Sequence, residues 1–110
     1  MAYKVLISKS AENDLRSILD YIRTSNPQAA GDFGKRLVDA IESLSTFPYR
    51  GHAVEELLSL RKGYRQTVVA RYRILYVVRE KTVYVHRIFH GARLLDTTVL
   101  EESGGEIEWQ

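Results

Sequence analysis

The apolar residues of this chain change period once, at Pro48, and that switch limits the fold more than any other feature. Before it, Ala11, Leu15, Ile18, Leu19 and Ile22 recur at i, i+4, i+7, i+8 and i+11, one face of a helix. Ala30, Phe33, Leu37, Ala40, Ile41 and Leu44 form a second such stripe. After it, residues 64–70, 72–79 and 82–90 are rich in Val, Ile and Tyr, which suit extended chain. The breaks between these runs are too short for a crossover helix, so the runs pair antiparallel. A short strand at residues 3–8 precedes the helices. The pattern therefore predicts an α+β fold: an N-terminal strand, an antiparallel helical hairpin, then a three-stranded antiparallel meander. Both helices are expected on one face of the sheet.

Local signals refine this reading. Ser10 is expected to cap the first helix, with Glu12 and Asp14 near its positive end. Asn26-Pro27 ends that helix and opens the next, with Asn26 as N-cap and Pro27 at the first helical position. Gly31 and Gly34 lower helix propensity and are expected where the second helix approaches its neighbour closely. Tyr49 to His52 reads as loop, and residues 57–60 as a turn or the approach to a strand. Residues 79–82 suit a hairpin turn, while Ala70-Arg71 is a weaker break.

Composition narrows the class. At 110 residues, with 45% hydrophobic and 27% charged residues, the chain has the size and balance of one globular domain. Cysteine is absent, which removes disulfides, thiolate zinc sites and cysteine nucleophiles. No apolar run approaches the roughly 20 residues of a membrane span, and residues 1–10 lack a signal-peptide pattern. The expected setting is cytoplasmic, with no membrane partner. The net charge of +2 hides a division. Residues 1–49 balance to zero, residues 50–93 carry +7 and residues 94–110 carry −5. Such asymmetry points towards polyanions or acidic proteins as partners. The expected organisation is a domain over residues 1–95 and an acidic tail over 96–110, in which Trp109 has no evident role.

No phosphate-binding glycine loop, dinucleotide fingerprint or serine elbow occurs. His52, His86 and His90 lack a metal-ligand spacing, and His86 and His90 are expected to share one strand face. Neither a metal nor a cofactor is expected. Glu55 and Glu56 read as a solvated loop. The remaining chemistry is cationic. Arg65, Arg71, Arg73, Arg79 and Arg87 fall on or between the strand segments, and Arg93 follows the last. The plain reading is a solvated sheet face bearing arginines. The sharper reading gathers Arg65, Arg71, Arg73, His90 and Arg93 into a surface that binds a target or a partner protein. Tyr64, Tyr72, Tyr76 and Tyr84 interleave with them.

Several motifs together resemble one family. They are Tyr3-Lys4-Val5-Leu6-Ile7-Ser8 with Ala11 and Asp14-Leu15, then Ile18 to Ile22. Phe47-Pro48-Tyr49-Arg50-Gly51 and Tyr72-Arg73-Ile74-Leu75-Tyr76 follow, with Ile88-Phe89-His90-Gly91-Ala92-Arg93 last. In this order they resemble the RelE/ParE superfamily of type II toxin–antitoxin toxins, nearer its ParE-like branch, over roughly residues 3–95. The resemblance implies a toxin held in a hetero-oligomer by a cognate antitoxin. It implies one of two targets. ParE-like members inhibit DNA gyrase by protein–protein binding. RelE-like members cleave mRNA on the ribosome.

RNA cleavage through a 2′-hydroxyl needs a base, an acid and cations on the phosphorane charge. In RelE-like nucleases, lysines, arginines and a late tyrosine serve these roles. The two arginine positions match Arg73 and Arg93. The lysine positions fall near Tyr64 and Gln66, and the tyrosine position near Val99. His90 matches a histidine used by one relative of that group. If the chain is a nuclease, its expected catalytic residues are Arg73, His90 and Arg93. The cations are present and the usual proton-transfer residues are not, so non-enzymatic gyrase inhibition is the expected activity.

Overall fold

The structure, a computed structural model, describes residues 2–54 and 63–91. Strand β1 (Lys4–Ile7) leads into helix α1 (Lys9–Ser25), followed by α2 (Pro27–Ser43). Then come β2 (His52–Ala53), β3 (Arg65–Val69), β4 (Tyr72–Arg79) and β5 (Thr82–His90). The five strands form one sheet in the order β1-β5-β4-β3-β2. The meander β3-β4-β5 is antiparallel, as its short connections require. β1 lies parallel to β5, with Lys4 opposite Thr82 and Ile7 opposite Val85. The helical hairpin between β1 and the meander supplies the long connection that a parallel pair needs.

Three local expectations shift. The first cap is Ser8, not Ser10. Strand passes into helix without a loop, so the last extended residue does the capping. The Ser8 hydroxyl accepts the Ala11 N–H at 3.0 Å and donates to the His86 carbonyl at 2.7 Å. Asn26 caps α2 as expected, accepting from the Ala29 N–H at 3.1 Å. A methyl group at Gly34 would sit 3.1 Å from a Leu19 methyl, so close helix approach explains this glycine. Gly31 faces open space and has no such reason. Residues 52–53 form a short edge strand against Gln66 and Arg65, which two residues of sequence cannot announce.

The sheet has two apolar faces. Helices cover one, where Ala11, Leu37, Leu44, Val69, Ile74, Tyr76, Val83, Val85 and Ile88 make the main core. The other face is not a simple solvated arginine surface. It carries a second buried cluster of Val54, Tyr64, Leu75, Val77 and Phe89. Burying both faces removes strict alternation from β4, which reads as a continuous apolar run from Ile74 to Val78. A bulge shifts the register between Leu75 and Tyr76, whose partners are Arg87 and Val85, and leaves His86 as the extra residue. His86 meets Tyr64 of the second cluster, while His90 meets Tyr72 on the helix side. The two histidines therefore do not share a face.

One ion pair ties the layers together. Asp14 of α1 accepts from Arg87 Nε at 2.7 Å, from Arg87 Nη2 at 2.9 Å and from the Ile88 N–H at 3.0 Å. Both side chains are largely buried. Among the described residues, no helix is long and apolar enough to cross a membrane.

Candidate functional site

The far face of the sheet brings several of the singled-out residues together. Arg73 and Gln66 stand on neighbouring strands, and Arg73 Nε donates to Gln66 Oε1 at 2.6 Å. Arg73 is only 9% exposed. Past β5, the Gly91 N–H bonds to the Arg71 carbonyl. An added Cβ at Gly91 would lie 3.0 Å from that oxygen and 3.8 Å from Arg73 Cγ. Gly91 thus lets the chain close down beside Arg73. Farther along the same face, the Tyr64 ring meets His86 edge-on, with centroids 5.5 Å apart. Burial pushes the Tyr64 hydroxyl above its ordinary pKa, an effect the Arg79 charge partly offsets.

The other arginines do not join them. Arg65 points to the helix side, paired with Tyr76 across the strands. Its Nη2 donates to the carbonyls of Tyr49 at 3.1 Å and Gly51 at 2.6 Å. Its guanidinium lies 5.3 Å from the Tyr49 ring centroid. Arg65 is a clamp on the turn after α2. Arg71 is exposed in the β3–β4 hairpin. His90 is exposed at the end of β5, edge-on to Tyr72, which in turn meets Phe33 of α2. Arg79 Nη1 donates to the Val78 carbonyl, and Arg87 belongs to Asp14. Arg93, Glu55, Glu56, residues 57–60 and the acidic tail with Trp109 lie outside the described residues. Among those described, no group of three or more His, Asp or Glu could hold a metal ion.

Two features are not singled out by the sequence pattern alone. Asp14 is a carboxylate on the apolar face of α1, three residues after Ala11, and that placement was the available signal for its partner. The second is the turn at residues 47–51. Gly51 donates its N–H to Tyr76 Oη at 3.1 Å. A side chain at Gly51 would collide with the Gln66 carbonyl and come within 2.6 Å of Tyr76 Oη. The turn holds Phe47 and Tyr49 outward, 65% and 59% exposed.

The arrangement offers surfaces and tightly held cations, and comparison with known proteins places it. Residues 5–95 match the family described as the ParE toxin of the type II toxin–antitoxin system, parDE. Toxin RelE1 of Caulobacter vibrioides is 33% identical over 94 residues, covering 83% of this chain and 96% of the relative. Toxin RelE2 of the same organism is 38% identical over 81 residues, covering 74% and 86%. Among solved structures, a chain of the chromosomal ParDE system of P. aeruginosa aligns with a TM-score of 0.65 at 17% identity, covering 81% of this chain and 96% of that one. A chain of the RelBE2 toxin–antitoxin complex of Mycobacterium tuberculosis aligns at 0.57 and 24% identity, covering 82% and 99%. At those identities the structures speak for the fold. The family match and the two RelE relatives speak for descent, and this chain belongs to the ParE toxin family of type II toxin–antitoxin systems, within the RelE/ParE superfamily.

Proposed function

We propose that this toxin acts in the cytoplasm as a non-enzymatic inhibitor of DNA gyrase, neutralised by a cognate antitoxin in a hetero-oligomeric complex. The observation that carries the reading is the state of Arg73. It is nearly buried and hydrogen-bonded to Gln66, where a nuclease would hold a lysine or another proton-transfer group. A guanidinium held this way supports a surface and supplies no base. Tyr64, at the other lysine position, is 8% exposed with its hydroxyl shifted towards the neutral form. A protein inhibitor needs a rigid surface, and both faces of this sheet are packed. The structural neighbours come from ParDE and RelBE systems, which supports an antitoxin partner.

The test is a supercoiling assay with purified gyrase, relaxed plasmid and the toxin freed of antitoxin. Loss of supercoiling or accumulation of cleaved complexes is expected, with reversal by antitoxin. Gyrase that works unchanged at a large molar excess of toxin refutes the reading. A second reading, mRNA cleavage on the ribosome, draws on the Tyr64–His86 contact, a phenol and an imidazole on the same face as Arg73. New mRNA ends in translating cells, abolished by Arg73→Ala or His86→Ala, would favour it over gyrase inhibition.

A further inference from the structure

Five large apolar side chains stand exposed among the described residues: Tyr21, Val38, Phe47, Tyr49 and Val68. Scattered single residues of this kind need no explanation. Phe47 and Tyr49 differ, because they flank a buried Pro48 on one turn and the turn is held from several sides. The Phe47 N–H donates to the Ser43 carbonyl, and the Arg50 N–H to the Phe47 carbonyl. Arg50 Nη1 donates to Ser43 Oγ at 2.7 Å. The Gly51 N–H donates to Tyr76 Oη, and Arg65 grips two carbonyls of the turn from β3. Two aromatic rings are thus presented to solvent on a backbone already ordered. Binding there loses little conformational entropy, which is what aromatic anchors at protein interfaces exploit.

We infer that this turn is the surface by which the toxin grips its antitoxin. The inference rests on the toxin–antitoxin reading above. Charge describes the partner. Residues 43–54 contain Arg50 and His52 and no carboxylate, and Arg65 stands behind them. The complementary partner is a peptide segment with apolar side chains for Phe47 and Tyr49 and carboxylates around them. Nucleic acid fits less well. Arg65 has turned its fork inward onto carbonyl oxygens, and Arg50 alone does not make a track for phosphates.

The experiment measures antitoxin binding to the full-length toxin by calorimetry, using the antitoxin of the same module. Parent, Tyr21→Ser and a Phe47→Ser/Tyr49→Ser double variant are compared, with thermal melts to confirm folding. Tyr21 is the more exposed control, and its variant should bind within twofold of the parent. The double variant should bind roughly 30-fold or more weakly, the loss of at least one hot-spot anchor. A folded double variant within threefold of the parent overturns the inference and leaves the antitoxin reading intact. A parent that binds no antitoxin overturns both. Arg50→Glu gives an independent readout that does not touch the rings. It should slow association several-fold and flatten its salt dependence, and unchanged kinetics count against the inference. Binding of a single-stranded RNA oligonucleotide by the parent, lost in the double variant, would overturn the inference in favour of a nucleic-acid surface.

Discussion

The Asp14–Arg87 pair joins α1 to the sheet, and its removal should be costly in a calculable way. Asp14→Ala takes away the acceptor of two guanidinium bonds and of the Ile88 N–H. Arg87, at 12% side-chain exposure, keeps its charge and loses its carboxylate. Leaving one half of a buried pair typically costs 3–5 kcal/mol, and an orphaned backbone donor adds about 1. Residual solvent access here argues for the low end, about 3 kcal/mol in all. For a domain of this size each kcal/mol lowers Tm by roughly 4 °C, so a fall of about 12 °C is expected. Urea unfolding of Asp14→Ala, Arg87→Met and the double variant measures the coupling. Because the double variant no longer buries a lone charge, it should be more stable than the sum of the single losses predicts. A coupling of about 1.5 kcal/mol or more is expected. A coupling below about 0.5 kcal/mol, or an Asp14→Ala loss under about 1 kcal/mol, would refute the reasoning.

Three further outcomes follow from local geometry. Gly51→Ala drives a methyl into the Gln66 carbonyl and Tyr76 Oη, so it should cost about 3 kcal/mol or prevent folding, read by chemical denaturation. Ala70 and Glu80 occupy the left-handed region at φ 54° and 55° in two-residue hairpin turns, so Ala70→Gly should raise stability by about 1 kcal/mol; a loss would show that turn is unstrained. The buried Tyr64 hydroxyl ionises at higher pH folded than unfolded, where its pKa is about 10. Above that pH the unfolded chain binds fewer protons, so stability present below it is lost as pH rises through the folded pKa. Tyr64→Phe should flatten this alkaline decline in urea titrations at pH 9–11, and an unchanged slope would assign the decline elsewhere.

Much of the fold was legible because it is local. The apolar stripes of α1 and α2 follow a helical period that any solvent-facing helix must show. Asn26-Pro27 carries its own capping chemistry, and the runs around Ile74 and Val83 carry strand-forming side chains. The family motifs were legible for the same reason, since each lies within a few consecutive residues. The site was far less so. Arg65 and Arg73 look alike in a charged strand segment, yet one clamps a turn on the helix side and the other bonds Gln66 on the opposite face. Two-residue β2 has no period to read, and Ser8 became a cap only because β1 runs straight into α1.

The histidines show where the division lies. Counted along a regular strand, His86 and His90 fall on one side, and sequence can do no better than count. The bulge at His86 breaks that count, because opposing residues of β4 accept two partners where one would fit. The sequence by itself determined the helical hairpin, the antiparallel meander and the uneven charge, all of which depend on neighbours in the chain. Tertiary structure alone decided which arginines are buried, which are clamps and which aromatics are turned out to solvent. Those outcomes depend on groups dozens of residues away, such as Asp14 for Arg87 and Tyr76 for Gly51, and no local pattern records them.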